Sequence, residues 1–166
     1  MNDTRSSLPP ENNGFLRAPN AACPANLLAL AQRMPARPIA FVRAIGAATL
    51  ETARDAIEQR LAVPILIGEI DQMRADAATI GWKLDGVDLV AAKGEQEAID
   101  VGIDLVKTGA AAGLIKGQLH SDVFMGGVVA RKAGIRTQNR MLHIFAMLPP
   151  DGAVSYTHLR AHETYD

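Results

Sequence analysis

The chain has 166 residues, enough to bury one sizeable hydrophobic core. A formal net charge of −1 and an aromatic content of 4% argue against nucleic acid and anionic membranes as partners. One cysteine excludes an internal disulfide framework, and no apolar run reaches the roughly 18 residues of a membrane span. Composition therefore leads us to expect a cytoplasmic globular protein.

The first segment, residues 1–24, differs in composition from the rest of the chain. Four prolines lie there among Asn, Ser and Gly, and it lacks the apolar core of a signal peptide. Such a segment buries too little apolar surface to offset the entropy lost on ordering. It predicts a disordered N-terminal arm, followed by a short helix over 25–34 that Pro35 closes.

Beyond Pro35 short apolar runs alternate with amphipathic stretches. The runs predict strands and the stretches predict helices. The strands are 38–42, 63–68, 87–90, 111–115 and 141–147, and the helices are 49–60, 71–80, 95–107 and 121–132. Thr49 and Asp71 stand where N-caps are expected, and Gly81 follows the second of these helices as a C-terminal stop. Pro64 must lie near the start of its strand, where a missing N–H matters least.

This alternation predicts an α/β fold with a mostly parallel sheet and right-handed crossovers. The strands are almost wholly apolar, which indicates helices on both faces, an αβα sandwich. Ligands of such sheets bind beyond the carboxyl ends of the strands. The rule points to four segments, here called the carboxyl-edge loops: 43–48, 68–70, 93–95 and 116–122.

The loop after the fourth strand carries the best signal for a binding site. Lys116 supplies positive charge, Gly117 lets the backbone approach a ligand, and Ser121 opens a helix whose free N–H groups suit an anion. The alternative is an ordinary connection in which Ser121 is an N-cap and Lys116 is solvated.

Basic residues downstream strengthen the anion-site interpretation. Arg131, Lys132, Arg136 and Arg140 surround Gly134 with no acidic residue among them, which suits a phosphorylated ligand. The alternative is a solvated helix end, where Arg131 and Lys132 complement the helix dipole.

Other motifs are absent or weak. The chain has no G-x-G-x-x-G fingerprint after the first strand and no P-loop. His143 lies in an apolar run, which favours a core histidine over a base. His158 and His162 have the i, i+4 spacing of a metal pair, but we assign them no site because of the sequence around them.

The stretch 114–122, Leu-Ile-Lys-Gly-Gln-Leu-His-Ser-Asp, is followed by Ala-Gly-Ile-Arg-Thr at 133–137. Together they resemble the phosphate acetyltransferase and phosphate butyryltransferase family. The resemblance extends over residues 25–150. Within the family, this segment is similar to the acyltransferase portion of fusion proteins in which an enoyl-CoA hydratase-like domain comes first. It implies the αβα architecture of isocitrate and isopropylmalate dehydrogenase-like enzymes.

The resemblance also implies a reaction, acyl transfer between coenzyme A and inorganic phosphate. Coenzyme A or acyl-CoA and phosphate or acyl phosphate would be substrates, with no cofactor and no metal, and the full-length protein would form a homodimer. No catalytic residue is assigned. The residues that match the family's substrate-binding motif are Lys116, Gly117, His120, Ser121, Arg136 and Thr137.

This chain departs from the family pattern in several places. Leu142 stands where a serine usually precedes His143, and a basic residue is common where this chain has Gly126 or Gly127. The family continues well beyond residue 150, whereas residues 151–166 resemble translated vector sequence. We therefore expect an incomplete fold, a truncated and inactive fragment, and a non-native or disordered tail without strand pairing.

Two further functions stay open at this point. The chain could be a non-catalytic α/β module that binds phosphate or coenzyme A. It could also be related to decarboxylating dehydrogenases, which share the architecture. The second alternative needs a cluster of metal-binding aspartates and a nicotinamide site, and the sequence offers neither.

Overall fold

The computed structural model describes residues 23, 25–135, 143–147 and 155–159. In chain order the elements are α1 Ala25–Ala31, β1 Arg37–Val42, α2 Ala47–Glu58, β2 Ala62–Gly68, α3 Ile70–Thr79, β3 Asp88–Ala91, α4 Gly94–Lys107, β4 Leu114–Lys116, α5 Ser121–Val129, a 3₁₀ turn Arg131–Ala133, β5 His143–Met147 and β6 Ser155–Leu159. Within these residues no helix is both long and apolar enough to cross a membrane. The arm predicted over 1–24 lies outside them, Cys23 excepted.

Four strands form a parallel sheet in the order β3-β2-β1-β4. Phe41 in the central strand β1 is aligned with Leu66 of β2 on one side and with Ile115 of β4 on the other. Each consecutive pair of these strands is joined through a helix, as parallel pairing requires. The predicted parallel α/β fold is confirmed.

Helices cover both faces of the sheet, because neighbouring residues of each strand point to opposite sides. Val42 and Ile67 pack in a core with α4 and α5, whereas Phe41 and Leu66 pack in a second core with α2 and α3. All four side chains are fully buried. The predicted αβα sandwich is confirmed.

Two sequence details fit the sheet as expected. Pro64 is paired with Ile39 of β1, and β3 pairs with β2 only from Ile65 onward. The missing N–H of Pro64 therefore costs no hydrogen bond between β2 and β3. Gly81 has a φ of 67°, the left-handed conformation that glycine adopts most readily after a helix.

The two glycines of α5 have opposite surroundings. A Cβ on Gly127 would lie 2.6 Å from Cγ1 of Ile99, so the glycine allows α5 to approach α4 closely. A Cβ on Gly126 would meet nothing within 4 Å. Gly127 therefore leaves no room for the basic side chain that the family commonly has at one of these positions, whereas Gly126 does.

The expected N-caps are wrong. Helix α2 begins at Ala47 with Gly46 as its N-cap, so Thr49 is helical, and α3 begins at Ile70 with Glu69 as its N-cap, so Asp71 belongs to the first turn. The N–H of Gly46 instead donates to Asp76 of α3 at 2.6 Å. A carboxylate from a neighbouring helix thus accepts a hydrogen bond at the start of α2, where we expected a capping side chain from the same segment.

The strand predicted over 111–115 is displaced, because β4 begins at Leu114. The N–H of Ala112 already donates to the Pro38 carbonyl at 2.8 Å, so the approach to β1 starts ahead of the strand. The last predicted helix ends at Val129 rather than at Lys132, and a 3₁₀ turn follows.

The fifth strand does not join the parallel sheet. His143–Met147 pairs antiparallel with Ser155–Leu159 in a separate two-stranded sheet. The prediction that the tail has no strand pairing is therefore wrong at 155–159. A seven-residue connection is too short for the crossover that parallel strands need, so the two segments pair as a hairpin.

Candidate functional site

The fold places a crevice between β1 and β4. The helices that follow these adjacent strands, α2 and α5, lie on opposite faces of the sheet. Strands whose following helices diverge in this way leave an opening at their carboxyl ends, where α/β proteins bind ligands. An open cleft of about 390 Å³ lies there, lined by Arg43, Ile45, Glu95, Gln118, Leu119 and His120.

Gly117 fixes the loop after β4 to the end of β1. Its N–H donates to the Val42 carbonyl at 2.9 Å, and the N–H of Gln118 donates to the Arg43 carbonyl at 2.9 Å. A Cβ on Gly117 would overlap the Arg43 carbonyl oxygen and lie 2.7 Å from that of Val42. The close approach expected of Gly117 is therefore made to β1, and a ligand is not needed to explain it.

Lys116 is a cation at this edge of the sheet. Its side chain is exposed, and Nζ lies 3.5 Å from the Gly117 carbonyl oxygen. Among the residues that the structure describes, no carboxylate lies within ion-pair distance of Nζ. Its charge is therefore available to an anionic ligand.

The N-cap of α5 is His120, and the prediction that Ser121 is the cap is wrong. Ser121 is the first helical residue, and it is exposed. The first backbone bond of the helix runs from the Phe124 N–H to the His120 carbonyl at 3.0 Å, so the N–H groups before Phe124 precede the helical ladder. Arg136 and Thr137 lie outside the described residues, so their place in the site stays a prediction.

Four charged or titratable side chains meet in what we call the carboxyl-edge network: Glu69, Arg43, Glu95 and His120. Arg43 lies between the two carboxylates, with Nη2 at 3.5 Å from Glu69 Oε1 and Nη1 at 3.2 Å from Glu95 Oε1. Nδ1 of His120 lies 2.8 Å from Glu95 Oε1. Each residue comes from a different carboxyl-edge loop, so the network joins all four loops.

The same carboxylates also receive backbone N–H groups at two helix starts. Glu69 accepts from the Gly94 N–H at 3.0 Å, and Glu95 accepts from the His120 N–H at 3.1 Å. Arg43 has a φ of 53°, a left-handed conformation that is uncommon outside glycine. Within the described part of the chain, Nε of Arg43 and Oε2 of Glu69 are buried without a hydrogen-bond partner.

Both carboxylates are held in the ionised form. Burial alone would raise the pKa of Glu69, but N–H groups of Gly94 and of Glu69 itself, together with Arg43, bring it below 4.5. The pKa of Glu95 is lowered chiefly by the His120 backbone N–H, against a smaller effect of burial, with further lowering by the His120 ring and Arg43. Two carboxylates and one guanidinium give this network a net negative charge when His120 is neutral.

A larger groove of about 520 Å³ lies between α4 and α5, away from the sheet edge. Its charged lining residues are Asp100, Asp104 and Asp122 with Lys107. That balance disfavours an anionic ligand. No group of three His, Cys, Asp or Glu side chains suited to a metal is found in the part of the chain that the structure describes.

The structure places four of the predicted site residues at the carboxyl edge of the sheet. Lys116 ends β4, Gly117 and His120 lie in the connection that follows, and Ser121 begins α5. Arg43, Glu69 and Glu95 were not singled out, although each lies in a predicted carboxyl-edge loop. The signal was available as at least one titratable side chain in every loop that follows a predicted strand.

Fold and cleft together define an α/β protein with a candidate ligand-binding edge at the switch between β1 and β4. A phosphate acetyltransferase from Rickettsia prowazekii is 31% identical over 122 residues, which are 74% of this chain and 35% of the relative. One from Rhizobium meliloti is 31% identical over 135 residues, covering 71% and 43%. A phosphate butyryltransferase from Clostridium acetobutylicum is 30% identical over 95 residues, covering 57% and 32%. These curated relatives support the family that the resemblance predicted, the phosphate acetyltransferases and phosphate butyryltransferases.

Solved structures agree on the fold. A phosphotransacetylase from Staphylococcus aureus matches with a TM-score of 0.62 at 16% identity, over 82% of this chain and 50% of that one. One from Streptococcus pyogenes matches with a TM-score of 0.53 at 15% identity, over 63% and 42%. No protein-family model matches the chain. The matched part of the chain spans 32–43% of the length of these curated relatives.

Proposed function

We propose that this chain is part of a phosphate acyltransferase, which transfers an acetyl or butyryl group between coenzyme A and inorganic phosphate. The observation that carries the proposal is the 31% identity to phosphate acetyltransferases over 122 residues. These residues include a sheet edge with an exposed lysine and a helix start. A cytoplasmic location, where both substrates occur, belongs to the same proposal.

In this reaction the sulfur of coenzyme A attacks the carbonyl carbon of an acyl phosphate, and phosphate leaves. The protein must neutralise phosphate charge and bring two anionic partners together. Lys116 can supply the charge, and the unpaired N–H groups at the start of α5 can donate to phosphate oxygens. In the proposal Arg136 and Thr137 bind at the same place.

We further propose that the 166-residue chain alone has little or no turnover. Relatives that carry the activity by name are between two and three times longer than the matched part. The same observation favours the second candidate, a non-catalytic module that binds phosphate or coenzyme A. The two candidates share the binding site and differ in whether bound substrates react.

An assay of thioester formation from acetyl phosphate and coenzyme A separates these possibilities. We expect the purified chain to bind both compounds with almost no turnover. We expect turnover when the chain replaces the corresponding segment of the Rhizobium meliloti enzyme, and its loss on Lys116→Ala. Binding without turnover in that chimera supports the module. Failure of the purified chain to bind either compound contradicts the proposed function.

A further inference from the structure

The His120 ring is held on one side and open on the other. Nδ1 lies 2.8 Å from Oε1 and 3.0 Å from Oε2 of Glu95. The side chain is 80% exposed and lines the cleft between β1 and β4. Among the described residues Nε2 has no hydrogen-bond partner, so it is the ring nitrogen that a ligand in this cleft meets.

The ionised carboxylate of Glu95 determines where the ring carries its first hydrogen. Such a carboxylate only accepts hydrogen bonds, and it already accepts from the His120 backbone N–H and from Nη1 of Arg43. The ring nitrogen that faces it, Nδ1, must therefore be a donor. In the neutral ring Nε2 is then a lone pair, whereas in the imidazolium Nε2 is a second N–H.

The chemistry of the ligand distinguishes these two states of the ring. A fully ionised phosphate group, such as that of an acyl phosphate, offers only acceptors, so it is repelled by a lone pair on Nε2 and bound by an N–H there. We propose that His120 binds the phosphate group as an imidazolium, with Nδ1–H held by Glu95 and Nε2–H donating to a phosphate oxygen, so that anion binding takes up a proton. The inference rests on the proposed function and names the form of the ring that this site uses.

The charges of the carboxyl-edge loops balance until His120 gains a proton. These loops hold three cations and three carboxylates: Arg43, Lys93, Lys116, Glu69, Glu95 and Asp122. Next to the ring the balance is negative, because Glu95 contacts it directly and Glu69 lies beyond Arg43. Protonation of the ring adds a fourth cation and gives the loops a net charge of +1. Proton and anion therefore favour each other's binding.

The two carboxylates of the network stay charged while the ring titrates. The pKa values of Glu69 and Glu95 lie below 4.5. Histidine is the side chain whose charge ordinarily changes between about pH 5 and pH 8. A change from about pH 8 to about pH 5.5 therefore alters His120 while both carboxylates remain ionised.

Sulfate is the probe that tests this coupling. It stays a dianion without an O–H across this pH range, whereas inorganic phosphate itself titrates there. By calorimetry we expect the 166-residue chain to bind sulfate about 10-fold tighter at about pH 5.5 than at about pH 8. This is the lower end of the range for a charge-assisted hydrogen bond, because the ring is 80% exposed. Lys116→Ala should weaken binding at both pH values and keep the contrast.

His120→Gln separates the charge of the ring from its place in the cleft. The glutamine amide can donate where Nε2 does, but it does not titrate, so we expect equal sulfate affinity at both pH values. His158→Gln is the matched control, since His158 lies in β6 of the separate two-stranded sheet, and the contrast should persist. Calorimetry in two buffers of different ionisation enthalpy counts the protons directly. We expect uptake on sulfate binding in the parent chain and none in His120→Gln.

Nitrogen-15 NMR at about pH 8 tests the hydrogen that Glu95 holds. We expect the Nδ1–H form of His120 in the parent chain and a shift toward Nε2–H in Glu95→Gln. Glu97→Gln should leave the ring unchanged, since Glu97 lies in the same turn of α4 and accepts from the Lys93 N–H at 2.9 Å. Nε2–H in the parent chain overturns the inference, because a neutral ring could then already donate to an anion.

The failure of this inference is distinguishable from the failure of the proposed function. Equal sulfate affinity at both pH values in the parent chain, or a contrast that persists in His120→Gln, overturns the inference and leaves the proposed function intact. If sulfate binds at neither pH, the inference also fails. Binding of acetyl phosphate and coenzyme A then decides the proposed function separately.

Discussion

Replacing Gly117 with alanine tests the geometry that builds the site. The added methyl group would overlap the Arg43 carbonyl oxygen and lie 2.7 Å from that of Val42. Both oxygens belong to the backbone where β1 ends, so they cannot rotate away as a side chain would. The loop that carries Lys116 and His120 must move instead.

The expected loss of stability follows from what that movement breaks. Two backbone hydrogen bonds, from Gly117 to Val42 and from Gln118 to Arg43, are lost or lengthened. Each contributes about 0.5–1.5 kcal/mol, and an overpacked methyl group adds about 1–3 kcal/mol. Partial relaxation lets these effects overlap, so we expect Gly117→Ala to lower the free energy of unfolding by about 2–4 kcal/mol.

Urea unfolding followed by fluorescence measures this loss. Trp82 is the only tryptophan, and it packs against the core formed by α2 and α3. Gly113→Ala is the matched control, because its methyl group would lie at an ordinary 3.6 Å from Ile39 Cδ1. A Gly117→Ala variant within about 0.5 kcal/mol of the parent, like a typical surface change, would refute the reasoning.

Three further predictions concern packing, phosphate and pH. Gly127→Ala should destabilise the chain by roughly 1–3 kcal/mol, whereas Gly126→Ala, which points into open space, should stabilise it by about 0.5–1 kcal/mol; urea unfolding decides, and equal effects contradict the packing. Lys116→Ala should weaken inorganic phosphate binding about 10- to 150-fold by calorimetry, and an unchanged affinity makes the loop a mere connection. Because the folded-state pKa values of Glu69 and Glu95 lie below 4.5, their ionisation stabilises the fold above that pH, and the stabilisation is lost as pH falls through the folded values. Melting temperatures of Glu69→Gln should therefore fall less steeply below pH 4.5 than those of the parent, and identical slopes contradict the network.

The sheet was predictable because its information is local. Apolar runs such as Ile65 to Ile67 and helical stripes such as Met73 and Ala77 are read directly from periodicity. The antiparallel hairpin was missed because a single apolar run around His143 does not say which strand it pairs with.

The helix starts were mispredicted for the opposite reason. Their N–H groups are satisfied by carboxylates 25 to 30 residues away, Asp76 for Gly46 and Glu95 for His120. Local rules name a residue beside each helix start, such as Thr49, and cannot see a partner across the fold. The carboxyl-edge network escaped prediction for the same reason, since only the folded sheet brings its members together.

The most direct test of the central claim is proton–nitrogen-15 NMR of the chain titrated with coenzyme A. The account predicts saturable shifts confined to the four carboxyl-edge loops, strongest between Lys116 and Asp122 and at the Arg43 N–H. It is contradicted if coenzyme A produces no shifts at millimolar concentration. It is also contradicted if the shifts lie at the opposite edge of the sheet, in residues 59–61 and 108–113.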